Sequence, residues 1–167
     1  MELIFSNDDP KNAILSLSTG QPIYELYTKS RVFHSESTVI RKFHNQGSPP
    51  NDIGQVKLRC LNGDACELLG RDIRPRTEGI VSRQKYGWKR KGSKVLMIDK
   101  FENTVAIYQY SRCGILHAKA PAMLSVMPAG VPFLDEIVVT VAYAEQRFRQ
   151  DVEVAAEGAS AAGSAAG

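Results

Sequence analysis

The segment Val131 to Gln150 (VPFLDEIVVTVAYAEQRFRQ) constrains the fold more than any other part of the chain. From Ile137 to Ala144 every residue except Thr140 is apolar. Wound into a helix, that run has no polar face, and a helix that is apolar all round has to be buried on every side. It is far shorter than the about 20 residues needed to cross a bilayer. The economical enclosure is a sheet that curls around the helix. The run is rich in β-branched residues and suits a strand on propensity alone, but three features favour a helix. Pro132 stands where a first helical residue would, a position that tolerates its missing N–H. Asp135 and Glu136 in the first turn and Arg147 and Arg149 in the last complement the helix dipole. The segment is also longer than a usual strand. These features predict a helix over residues 131–149.

Upstream, short alternating runs separated by turn clusters read as strands: Glu2–Ser6, Asn12–Leu17, Ile23–Thr28, Ser37–Phe43, Gln55–Cys60, Ser93–Asp99, Asn103–Tyr110 and Ala122–Val126. Gln46–Gly54, with two prolines and two glycines, reads as a loop. The spacing suggests an all-β sandwich or barrel. Together with the helix, the fold class is mainly β (α+β), a closed antiparallel β-barrel around one C-terminal hydrophobic helix. Residues 1–150 form the single domain. Residues 151–167 are almost all Ala, Gly and Ser, bury too little to offset the entropy of ordering, and read as a disordered tail.

Several motifs carry a resemblance. Leu3 to Asn12 (LIFSNDDPKN), Gly20 to Leu26 (GQPIYEL), Thr38 to Lys42 (TVIRK), Tyr86 to Lys89 (YGWK) and Ile137 to Thr140 (IVVT) resemble an uncharacterised domain family of mushroom-forming fungi, DUF6593. The resemblance spans roughly Met1 to Arg149 and implies no known activity. The layout is also similar to the tubby C-terminal and LURP-one-related domains, which implies a tubby-like closed barrel threaded by a central C-terminal helix. Fold alone does not fix function.

The strongest chemical asymmetry is the stretch Arg71–Lys94, with nine cations against Asp72 and Glu78, a local net of +7 in a chain of net +3. Its lipid-binding candidates are Arg83, Lys85, Tyr86, Trp88, Lys89, Arg90, Lys91 and Lys94. The cations would neutralise lipid phosphates, and Trp88 and Tyr86 would anchor at the interface. The same residues would serve single-stranded nucleic acid through phosphate contacts and base stacking. A third reading makes the segment a solvated hairpin face with Trp88 in the core. Arg90-Lys91-Gly92-Ser93 also has the serine spacing of a basophilic-kinase site, and a phosphate there would cancel up to about two charges.

No catalytic constellation stands out. His34, His44 and His117 lie at no metal-binding or protease spacing, and Cys113 with His117 lacks any supporting motif. Asp8 and Asp9 suit turn hydrogen bonds better than a metal site. No cofactor loop and no zinc pair among Cys60, Cys66 and Cys113 is visible. With no secretory signal, no transmembrane segment and free thiols, the expected setting is cytoplasmic, with nucleus or membrane periphery as extensions. The function expected is therefore a non-enzymatic intracellular binding module for anionic phospholipid headgroups. A protein-interaction scaffold is the alternative, and a weak nucleic-acid binder ranks below both. Nothing in the residues names a protein partner or an oligomeric state.

Overall fold

The structure is a computed structural model that describes residues 1–7, 9–31, 34–44, 48–58, 64–73, 86–112 and 120–164. Its strands are β1 (Glu2–Phe5), β2 (Ala13–Ser16), β3 (Pro22–Arg31), β4 (His34–Lys42), β5 (Asn51–Lys57), β6 (Ala65–Leu68), β7 (Arg71–Asp72), β8 (Tyr86–Lys91), β9 (Lys94–Asp99), β10 (Thr104–Gln109) and β11 (Met123–Val126). A 3₁₀ turn, Pro128–Phe133, leads into the helix α1 (Leu134–Ser164). The strands make one antiparallel sheet in the order β7-β6-β5-β4-β3-β2-β1-β11-β10-β9-β8. Two meanders are thus stitched together where β1 meets β11, with Leu3 opposite Leu124.

Alternation along most of the strands sends one set of side chains inward, and that set is the core. Leu3 and Phe5 of β1, Leu15 of β2, Tyr24 and Leu26 of β3, Ile40 of β4, Val56 of β5, Trp88 of β8, Val95 and Met97 of β9, Tyr108 of β10 and Leu124 of β11 are all buried. They close on α1, in which ten consecutive residues, Ile137 to Gln146, are buried. Ten residues make almost three turns, so no face of that stretch meets water. The helix touches β5 and β6 towards one edge of the sheet and β8 at the other edge, so the sheet curls around it. Each fully buried aliphatic side chain contributes roughly 1.5–3 kcal/mol.

Polar groups then set the depth and rotation of the helix. Asp135 accepts hydrogen bonds from the Tyr24 hydroxyl and from Lys42 Nζ, the latter at 2.7 Å. Burial, with the Asp135 carboxylate beside it, holds the Tyr24 phenol well above its usual range. Tyr143 donates to Asp64 Oδ2 at 3.0 Å, and Gln146 Nε2 donates to Thr38 Oγ1 at 3.1 Å. The one polar residue inside the apolar run, Thr140, returns its hydroxyl to the Glu136 carbonyl at 2.7 Å.

Four expectations need correction. The sheet is not closed: among the described residues β7 and β8 are unpaired edges, and β7, two residues long, offers little ladder to a partner. The helix starts at Leu134 rather than Val131, because Pro128 to Phe133 wind more tightly as 3₁₀. It also continues to Ser164 through the segment expected to be disordered. Ala is the best helix former and propagation on an existing helix adds one bond per residue, which outweighs the roughly 1 kcal/mol penalty at each glycine. Finally, Asn51 to Gly54 belong to β5 rather than to a loop, because Lys42 and Ile40 of β4 pair with Asn51 and Gly54.

Gly54 shows how closely sheet and helix approach. A Cβ at this position would lie 2.6 Å from Val139 Cγ2 and 2.8 Å from the Glu67 carbonyl oxygen. Gly54→Ala should therefore destabilise the protein by about 1–3 kcal/mol, the usual cost of overpacking. Urea denaturation measures this, and a variant as stable as the wild type would mean that the helix does not sit against β5 as described.

Candidate basic surface

The helix gives the molecule two ends. Its start, at Asp135, lies beside Lys42, and Phe133 stacks 5.7 Å from the Tyr86 ring. The opposite end holds Arg149 and the turn between β8 and β9. That turn is a two-residue connection, Gly92-Ser93, between the paired residues Lys91 and Lys94. Gly92 has φ +58°, and a glycine at the first central position is the signature of a type II′ turn, whose twist matches the flanking strands.

Lys89, Arg90, Lys91 and Lys94 are all exposed on this hairpin. Among the described residues none of the four has an ion-pair partner. Lys91 and Lys94 even face each other directly across the strands, a like-charge pairing that disfavours the hairpin unless an anion relieves it. The structure thus brings four of the sequence candidates together.

It separates the rest. Trp88 is 1% exposed and belongs to the core, so the ring cannot anchor at an interface in this structure. Alternation explains the outcome: Trp88 points inward opposite Met97, while Lys89 and Lys91 point outward. Tyr86 is half-buried against Phe133, at the far end of β8 from the hairpin tip. Arg83 and Lys85 lie outside the described residues, as do Cys60, Cys113 and His117. Cys66 is buried, and His44 is exposed.

Reasoning from sequence missed the groups that the fold gathers behind the hairpin. Arg90 is in phase with Trp88 and so stands on the inner side of β8, paired with Val95 in the same row as Tyr108. The Tyr110 amide donates to the Ser93 carbonyl at 3.4 Å, and Arg112 is exposed just beyond it. From the helix, Glu145 is 1% exposed and holds Arg149, one turn on, through Oε1. Its other oxygen, Oε2, has no hydrogen-bond partner among the described residues. Burial pushes the Glu145 carboxyl up, against the opposing pull of Arg149. Burial likewise raises the Tyr110 phenol, helped by the Glu145 charge and opposed by Arg90 and Arg149. The sequence signal was a Glu directly after an all-apolar run, followed four residues later by Arg.

Chemically, this end is a rim of guanidinium and ammonium groups over one buried carboxyl. It can attract anions, and among the described residues it pairs no nucleophile with a base. No group of three or more His, Cys, Asp or Glu that could hold a metal ion occurs among the described residues. No described helix is long and apolar enough to cross a membrane.

Residues 8–150 match the family described as Family of unknown function (DUF6593), and the chain belongs to that family. Neither a curated protein nor a solved structure matches it.

The buried carboxyl makes stability depend on pH with a definite sign. A carboxyl whose folded pKa is raised holds its proton more firmly when folded, so it favours folding below its unfolded value near 4.5. That contribution fades as pH rises through the raised value. Glu145→Gln should remove this part of the slope, leaving its stability, followed by thermal melts between about pH 4 and 8, flatter than that of the wild type. Parallel profiles for the two proteins would show that Glu145 does not titrate in the folded state.

Proposed function

We propose that this member of the DUF6593 family is a non-enzymatic binding module whose hairpin end recognises anionic phospholipid headgroups. The observation that carries the reading is the cluster Lys89, Arg90, Lys91 and Lys94, exposed on one rigid two-residue hairpin with no acidic partner among the described residues. Each such cation contributes about 1 kcal/mol near an anionic surface. Four give about 4 kcal/mol, a millimolar affinity, so Arg112 at the same end and any multivalent display on a membrane would add to a weak, reversible contact. A cytoplasmic setting, facing the anionic leaflet, belongs to this reading.

The second reading is an interaction scaffold. The cations of β8 lie on an edge strand, and lysines on an edge discourage unwanted strand pairing. On that view Lys89 and Lys91 guard the sheet and bind nothing. Nucleic acid falls further behind, because the buried Trp88 ring offers no face to a base.

Charge reversal separates the readings. Lys89→Glu, Arg90→Glu and Lys91→Glu together should abolish co-sedimentation with phosphatidylserine or phosphoinositide vesicles while the circular dichroism spectrum stays unchanged. Wild-type binding should weaken as salt rises, since exposed charges are screened. A triple variant that sediments with vesicles like the wild type would sink the lipid reading.

A further inference from the structure

Several large apolar side chains are also presented to solvent, and four of them lie at the end away from the cations, whereas Val152, 51% exposed, lies towards the other end of the helix. Leu69 is 73% exposed, Phe101 72%, Phe133 42% and Val131 40%. All four sit at the start of the helix. Phe133 stacks on Tyr86, and Tyr86 pairs with Asp99, which places the β9–β10 turn bearing Phe101 at this end. β6 runs from Asp64, beside Tyr143, towards Leu68, which pairs with Gly54 against Val139, so its turn at Leu69 faces the same way. Six residues of β9 separate this end from the cationic tip, about 20 Å.

The two most exposed side chains are held out by built turns. Leu69 and Gly70 form the two-residue link between Leu68 and Arg71, with φ of +48° and +75°. Positive φ at both positions is the type I′ arrangement, which Asn-Gly satisfies and which strains a leucine. Turn chemistry therefore disfavours Leu69, and packing does not use it. At the other turn Asp99 Oδ1 accepts the amides of Phe101 and Asn103, both at 2.8 Å, and so fixes the loop with the Phe101 ring pointing outward. A basic residue stands beside each tip. Lys100 Nζ lies 4.7 Å from the Phe101 ring centroid, and Arg71, exposed, follows the Leu69-Gly70 turn.

We infer that Leu69 and Phe101, with Val131 and Phe133 behind them, form a second contact that inserts into the interfacial layer of a lipid bilayer. Separate knobs on separate turns need a soft apolar medium more than a matching groove. A phenyl or leucyl group at the acyl boundary, with a cation beside it reaching up to the phosphates, is the arrangement that interfacial binding favours. The strain at Leu69 marks a site kept for something other than folding. This contact does not depend on the hairpin, which points the opposite way.

The test is partition onto neutral phosphatidylcholine vesicles in high salt, where the hairpin cations have no anionic surface to bind. The wild type should bind, and Leu69→Asn with Phe101→Ser should bind at least about tenfold less, from the apolar burial lost. Asparagine relieves the type I′ turn, so Leu69→Asn alone should melt no lower than the wild type while still losing affinity, which separates insertion from unfolding. Phe101→Trp should shift its emission to the blue when neutral vesicles are added. Failure of the wild type to bind neutral vesicles, or equal binding by the double variant, overturns the inference. So does concentration-dependent self-association that the double variant abolishes in the absence of lipid, since the knobs would then seat on a second copy. Extra, salt-sensitive binding to anionic vesicles reports on the hairpin alone, so either contact can fail without the other.

Discussion

The structure depends on enclosing a helix that has no face to show water. Ile137 to Gln146 cannot be half-covered, so the sheet has to reach around them, and the inward residues from β1 to β11 supply the cover. Close approach follows from that demand. Gly54 passes under Val139, and Gly130 passes so near Val105, Val126 and Ile137 that a Cβ would lie 2.9–3.0 Å from each. Direction and rotation come from the polar contacts of Asp135, Tyr143 and Gln146 with β3, β4 and Asp64. Apolar burial specifies that the helix is inside, and three hydrogen-bonded sites specify how it sits.

Much of this was legible in the residues. Period-two alternation located β1, β2, β3, β9, β10 and β11, and the apolar run located the buried part of α1. What stayed hidden had local signals that tertiary pairing overrode. Asn51 to Gly54 look like loop, yet they complete the ladder with β4 because Ile53 is buried and Gly54 is the one residue that fits beneath the helix. The strands β6 and β7 are too short to show a period. The Ala-rich segment lacks any apolar face, so its helicity is inherited from the helix before it.

The candidate site was legible in composition and illegible in geometry. A count of charges found the basic stretch, but it could not tell that Trp88 turns inward while its neighbours Lys89 and Lys91 turn out. Nor could it place the charges of Arg90, Glu145 and Arg149 around Tyr110, just past the end of β10. The structure also sorts the surface by chemistry. The hairpin cations stand where the helix runs out of the sheet, and the two most exposed apolar groups, Leu69 and Phe101, stand where it enters.

The position of the buried helix in the chain has a kinetic side. Every strand precedes it, and β1 reaches its partner β11 only across about the whole length of the domain. Until α1 arrives, the inward faces of both meanders have nothing to close upon. Local hairpins such as β3–β4 and β8–β9 can form as they emerge, but a core cannot. Contacts of such long sequence separation make for slow, all-or-none folding. A chain arrested upstream of Ile137 would expose its strands' apolar faces and unpaired edges, the features that invite aggregation. The same residues that fill the centre of the finished molecule thus decide when in the life of the chain there is a centre at all.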